Sequence, residues 1–299
     1  MITDEDLVRE GAALDDRFGA GRADAFGRAL PGIVADLTAR WGLRHGSLYD
    51  SGATSVVLSV ETSRGVPAVL KVSPDADFLS RQAAMLRHLA PTGRAPAVLA
   101  EDAAAGAVLL ERILPGDTLD STRTAPPTPE TWAALLRDLH ATSPSGVHDV
   151  LADRCEEMFE RIGERRTRPQ VRPHVPDALW QRAVEDCRQL LRDDREDAVI
   201  HGDLHLGNVL HGGERGLVVI DPKLCVGDRC FDMVDFVVVD GAPGQMVPRA
   251  RELASLVDLD PDRLLAWSRV NAVVTAVSRI TWHGPGPRTD ALLALARSA

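Results

Sequence analysis

The run His201-Gly202-Asp203-Leu204-His205-Leu206-Gly207-Asn208 gathers, within eight residues, a carboxylate, a carboxamide and two imidazoles, spaced by glycines. Asp203 and Asn208 stand five positions apart. Beyond Asn208 come Val209-Leu210-His211, a turn at Gly212-Gly213-Glu214-Arg215-Gly216, and Leu217-Val218-Val219-Ile220. Two short β-prone runs about a glycine-rich turn predict a hairpin. A hairpin returns the chain to its start, so it delivers Asp221 beside Asn208. A carboxylate and an amide oxygen side by side are hard ligands of the kind Mg²⁺ takes. Asp203 then faces the same place and is able to orient or deprotonate an attacking hydroxyl. The bland alternative is a polar turn ahead of an edge hairpin. It does not account for three polar residues and a turn agreeing at once.

The Asp-x-x-x-x-Asn spacing is that of a kinase catalytic loop. The segment resembles the aminoglycoside phosphotransferase superfamily, relatives of the eukaryotic-type protein kinases. His201-Gly202-Asp203 stands in place of the kinase His-Arg-Asp, and Ile220-Asp221-Pro222-Lys223 in place of Asp-Phe-Gly. Asp-Pro-Lys followed by Val226-Gly227-Asp228 and Phe231-Asp232 resembles the streptomycin 6-phosphotransferase and hydroxyurea-phosphotransferase group. The likeness extends upstream through Arg40-Trp41-Gly42-Leu43, Ser51-Gly52-Ala53-Thr54-Ser55 and Leu109-Leu110-Glu111-Arg112.

The resemblance implies ATP as donor, with GTP an open alternative, and Mg²⁺ held by Asn208 and Asp221. It implies that Lys71, in Val69-Leu70-Lys71-Val72, grips the α- and β-phosphates, a reading preferred to the bland one of an edge lysine with its head in water. Ser51, Gly52, Ala53, Thr54 and Ser55 become a phosphate-covering loop of small and hydroxylated residues, although the glycine pattern of protein kinases is missing. Glu111 and Ile113 become the segment whose backbone pairs with the purine edge. Asp228 and Asp232 become carboxylates that brace the catalytic loop. One position departs from the pattern: where kinases carry a helix glutamate opposite the strand lysine, this chain has Gln82. An amide is able to hydrogen-bond Lys71 but not to neutralise it.

The elements that must position these groups fall into two kinds. Residues 1–45 read as mostly helical, with Ile33, Leu37 and Trp41 at helical spacing. Val56–Thr62 and Val66–Val72 form a hairpin about Ser63-Arg64-Gly65, and Ala97–Ala100 and Ala107–Arg112 form another strand pair. Between the pairs lies a helix over Asp75–Ala90, with Phe78, Met85, Leu86 and Leu89 marking its buried face and Gln82 turned toward the strands. After Gly116 the pattern is helical: about 130–142 (N-cap Thr128, Pro129 at the first position), 153–167, 177–193, 246–257, 261–283 and 288–298, around the catalytic segment 198–240. The fold class expected is therefore α+β and bilobal, protein-kinase-like. A small β-rich lobe over 1–113 would bind the nucleotide, and a larger helical lobe over 114–299 would carry the catalytic loop and the acceptor.

Composition narrows the partners. The chain has 299 residues, 44% of them apolar, and a net charge of −10. No basic stripe follows a nucleic-acid backbone, so nucleic acid is not expected as a partner. No uncharged apolar run approaches the roughly 18 residues of a membrane span, and the acidic opening Met1-Ile2-Thr3-Asp4-Glu5-Asp6 is unlike a leader. Four scattered cysteines demand neither disulfides nor zinc, which suits a cytoplasmic, reduced protein, and a monomer is expected. His201 and His205 flank a loop aspartate and do not read as a zinc pair on a helix, His140 reads as a core histidine, and Gly19-Ala20-Gly21 lacks the strand a dinucleotide fingerprint needs. Residues 227–262 hold eight carboxylates against three arginines. Because the resemblance places the acceptor site in the helical lobe, this bias points to a cationic small-molecule acceptor such as a streptomycin-like antibiotic. A basic peptide antibiotic, hydroxyurea or a small metabolite remains open, as does a catalytically silent nucleotide-binding module.

Overall fold

The computed structural model describes residues 2–49, 54–121, 127–193, 198–239 and 243–298. The chain divides into two units, Met1–Gly116 and Asp117–Ala299.

The first unit begins with α1 (Asp4–Ala12), started by a reciprocal cap between Thr3 and Asp6, then α2 (Asp15–Phe18) and α3 (Ala20–Trp41). A Cβ on Gly11 would stand 2.6 Å from the Gly27 Cα, so α1 and α3 meet backbone to backbone. The sheet comprises β1 (Leu43–Leu48), β2 (Val56–Thr62), β3 (Pro67–Val72), β4 (Val98–Asp102) and β5 (Ala107–Glu111), antiparallel throughout in the order β1-β2-β3-β5-β4. Residues 43–45, read from sequence as the end of a helical stretch, belong to β1. Left-handed Gly42 ends α3 there, a conformation that glycine adopts without penalty.

Strand periodicity decides what faces what. Leu58 and Val60 of β2 and Leu70 and Val72 of β3 pack with Leu30, Val34 and Leu37 of α3 in one core. Each such leucine contributes roughly 1.5–3 kcal/mol of burial. Lys71 lies between two of these positions and so belongs to the opposite face, where α4 (Ala76–Leu89) packs. Asp75 caps α4 by accepting the Phe78 N–H at 3.0 Å. The buried stripe of α4 is Leu79, Gln82, Ala83, Leu86 and Leu89. Phe78 and Met85, expected inside, are half-buried at its margin.

The second unit is mainly helical: α5 (Pro129–His140), α6 (Leu151–Arg166), α7 (Asp177–Arg192), α8 (Val234–Val238), α9 (Pro243–Val257), α10 (Pro261–His283) and α11 (Pro287–Arg297). Thr128 caps α5 through the Thr131 N–H, with Pro129 at the first position, as its sequence predicts. Helix α10 packs against α6, α7, α8, α9 and α11 and carries apolar residues around its whole circumference, the pattern of a central helix. Two small antiparallel ladders complete the unit: β6 (Ala198–Ile200) with β9 (Cys225–Gly227), and β7 (Val209–His211) with β8 (Leu217–Val219). Among the described residues, no helix is long and apolar enough to cross a membrane.

Candidate active site

The two ladders bracket the chemistry. The loop His201–Asn208 leaves β6 and enters β7, while the segment Ile220–Leu224 leaves β8 and enters β9. Both segments are therefore held at both ends by the same pair of ladders. At one end the Ile220 N–H donates to the Asn208 carbonyl at 2.9 Å; at the other the Lys223 N–H donates to the His201 carbonyl at 2.9 Å. The hairpin thus places Asp221 next to Asn208, as its sequence predicts. Asp221 has φ of +56°, a left-handed conformation that aspartate tolerates better than most residues.

Inside the loop the Asn208 Nδ2 donates to the Asp203 carbonyl at 2.9 Å, so the amide nitrogen is engaged and the oxygen is the atom suited to a cation. Lys223 reaches the Asp203 carboxylate at 2.6 Å. Burial pushes the Asp203 carboxyl up, but the Lys223 ammonium, helped by His205, overrides it and holds the carboxyl below the usual aspartate range. Gly202 is left-handed (φ +76°), and a Cβ there would stand 2.2 Å from the Lys223 carbonyl oxygen. Glycine therefore allows the Asp203 loop and the Asp-Pro-Lys segment to touch.

Two downstream carboxylates hold the loop. Asp232, fully buried, accepts the His201 N–H at 2.6 Å, the Gly202 N–H at 3.0 Å and the His140 Nε2 at 3.2 Å. Asp235 accepts the Leu206 N–H at 3.0 Å, and burial pushes its carboxyl up. His201 itself donates from Nε2 to the Ile220 carbonyl at 3.0 Å and accepts the Asp203 N–H on Nδ1 at 3.4 Å. That pattern needs a neutral imidazole, and burial lowers the His201 pKa accordingly.

Asp228, expected to brace the loop, does something else. It caps the turn at Cys230 through the Cys230 N–H at 2.9 Å and binds Arg263 and Trp267 of α10. The reason is direction: Asp228 ends β9 and turns toward α10, whereas Asp232, one short turn later, faces the loop.

In the first unit the Lys71 ammonium, buried, donates to the Gln82 Oε1 at 2.9 Å, so the departure from the glutamate pattern is a real contact. Thr54 accepts the Ser73 hydroxyl on its carbonyl at 2.6 Å and Ser55 is buried; Ser51, Gly52 and Ala53 lie outside the described residues. The Glu111 N–H donates to the Ala97 carbonyl at 2.8 Å, and its carboxylate accepts the Ala97 N–H at 3.0 Å, so Glu111 closes the β4–β5 edge. Ile113, two residues on, is buried.

Beside Asp203 the second unit holds a cavity of about 570 Å³, floored by Gly202–His205 and walled by α6 and α10. Its walls include Arg154, Arg161 and Arg165 of α6 and Arg279 of α10, with Phe231 and Trp282. Sequence reasoning gave no role to these arginines, to Lys223 or to Asp235. The helical spacing of 154, 161 and 165 was the available signal.

Residues 40–282 match the family model described as aminoglycoside/hydroxyurea antibiotic resistance kinase. A hydroxyurea phosphotransferase from Kitasatospora aureofaciens is 31% identical over 260 residues, covering 84% of this chain and 74% of that protein. A streptomycin 6-kinase from Streptomyces glaucescens is 30% identical over 225 residues, covering 72% of this chain and 71% of that protein. The solved structure of a macrolide 2'-phosphotransferase type I superposes with a TM-score of 0.58 at 19% identity, covering 91% of this chain and 98% of that one. The last likeness establishes the bilobal, protein-kinase-like α+β fold.

Proposed function

The chain belongs to the aminoglycoside/hydroxyurea antibiotic resistance kinase family, and from that premise we propose that it transfers the γ-phosphoryl group of ATP to a hydroxyl of a small molecule held beside Asp203, conferring resistance when that molecule is an antibiotic. The observation that carries this reading is an ionised Asp203 on a loop secured at both ends, opening on a cavity and adjoining Asn208 and Asp221.

The donors at Asn208 and Asp221 are hard oxygens at the end of one ladder, a set that fits Mg²⁺. Bound there, the ion would neutralise charge on the phosphates. Lys71 would add positive charge at the α- and β-phosphates from the first unit, with Thr54 and Ser55 in the covering segment and the Ile113 backbone at the purine. Asp203 acts at its carboxylate oxygen. Because Lys223 makes that carboxylate a weak base, its first task is to orient the acceptor hydroxyl, and it takes the proton late, as the oxygen–phosphorus bond forms. ATP is the donor, with GTP the alternative. The four cysteines are buried and none forms a disulfide, which suits a reducing cytoplasm.

The streptomycin-like reading drew on the acidic bias of residues 227–262. Of those carboxylates Asp228 and Asp232 are spent on structure, Asp240 lies outside the described residues, and Asp235 is the one that lines the cavity. The arginine-bearing walls favour an acceptor with less positive charge than streptomycin, and hydroxyurea, the substrate named for one relative, supplies a neutral comparison.

Incubation with Mg-ATP and either streptomycin or hydroxyurea, read by a mass gain of one phosphoryl group, tests the reading. Asp221→Ala should abolish Mg²⁺-dependent turnover; ordinary Mg²⁺ dependence in that variant contradicts the assignment. Nucleotide binding with no acceptor-dependent ATP consumption, across a wide acceptor panel, would favour a regulatory module.

A further inference from the structure

The chain as a whole carries a charge of −10, yet the cavity beside Asp203 reverses that sign. One face of α6 supplies Arg154, Arg161 and Arg165 at positions i, i+7 and i+11, which helical geometry stacks along a single wall. Arg279 of α10 contributes a fourth guanidinium. The lining carboxylates are Asp203 and Asp235, and both are engaged: Asp203 by Lys223, Asp235 by the Leu206 N–H. Glu157 pairs with Arg154 from outside the lining. The Arg154 Nε is buried without a hydrogen-bond partner among the described residues. At the rim Trp282 is 53% exposed, with Arg165 over its ring at 5.5 Å.

Like charges brought together across a binding surface repel, so this wall opposes a molecule bearing several ammonium groups. A guanidinium presents a planar fork that matches a carboxylate with two parallel hydrogen bonds. The cavity volume suits a ligand of sugar size or larger. We propose that the acceptor carries a carboxylate in addition to the hydroxyl presented to Asp203, and that Arg161, Arg165 and Arg279 recognise it. The proposal rests on the phosphotransferase reading and names the acceptor class of the same site.

A matched series tests it: phenyl β-D-glucuronide, phenyl β-D-glucoside and phenyl β-D-glucosaminide share one scaffold and differ in charge. Titration calorimetry on the full chain at low salt should rank the glucuronide at least about tenfold tighter than the glucoside, the worth of one charge-assisted hydrogen bond, with the glucosaminide weakest. Raising the salt should narrow the gap. The double substitution Arg161→Glu with Arg279→Glu should invert the order. The milder pair Arg161→Gln with Arg279→Gln should flatten it, and a retained unfolding transition in either shows that the fold survives. Equal binding of the three, a preference for the glucosaminide, or no binding of the glucuronide at millimolar concentration overturns the proposal. Binding in the expected order with no phosphoryl mass gain on any of the three with Mg-ATP would support the anion preference and count against the phosphotransferase reading.

Discussion

Lys71 in the first unit and Asp203 in the second are the two charged groups on which the proposed reaction leans, and the protein holds them in opposite ways. Lys71 projects from the penultimate position of β3, in register with Val57 and Val108 on either side, and donates to the amide of Gln82 on α4. Asp203 projects from a loop with no regular structure, meets a full charge on Lys223, and depends on Asp232 and Asp235, about thirty residues on, for the course of its backbone. A strand fixes the direction of a side chain by local geometry, so its backbone needs no gathering by distant groups. A loop fixes nothing by itself, so its backbone N–H groups must be gathered by buried carboxylates.

The largest effect expected from breaking this contrast is at Asp203. Asp203→Asn should leave Mg-ATP affinity nearly intact and reduce turnover by about 10²–10⁴. Near-normal acceptor-dependent ADP release from the variant would remove the carboxylate from the mechanism.

Next comes the clamp. Asp232→Ala strands the His201 and Gly202 N–H groups and the His140 imidazole in a buried site. At about 1–3 kcal/mol per unsatisfied group, the variant should lose about 3 kcal/mol or more of stability and most of its turnover. Asp232→Asn, which keeps an acceptor oxygen, should lose less. Denaturant unfolding of both variants checks the order, and equal losses would show that the carboxylate is not read by two donors.

A subtler change sharpens the electrostatic half. Asp203 lies below the ordinary aspartate value of 3.8 because Lys223 outweighs burial. The ionised, active form therefore persists down through that value, and the wild-type acid limb of turnover should fall below it. Lys223→Met leaves burial opposed mainly by His205, so the limb should move upward in pH. A profile unchanged by the substitution would mean that Lys223 does not set the ionisation of Asp203.

The smallest effect is expected at Gln82. Gln82→Ala removes one hydrogen bond to an ammonium, worth about 1.5–3 kcal/mol at most, and the strand still aims Lys71. Lys71→Ala removes the charge itself and should reduce kcat/KM by about 10² or more, the range for a group that stabilises developing negative charge. If the two variants lost activity equally, the strand would not be sufficient to place the lysine, and the contrast between the regions would fail.

What the sequence by itself determined follows from short-range rules. Period two placed Lys71 on the face opposite Leu70 and Val72; turn residues at Gly212–Gly216 brought Asp221 to Asn208; helix spacing aimed Gln82 at the strands. These relations lie within one element or between neighbours in the chain, where periodicity and turn chemistry carry the information. Tertiary structure alone decided the rest. That Asp232 gathers the loop while Asp228 turns to Arg263 and Trp267 depends on where α10 lies, and no local pattern separates two aspartates four residues apart. The same holds for the character of the cavity. Its sign comes from the faces that α6 and α10 turn toward Asp203, whereas counting charges along residues 227–262 gave the opposite sign. A charge count along the chain registers how many carboxylates a segment has, but not which are consumed in holding backbone N–H groups and which are left to meet a ligand.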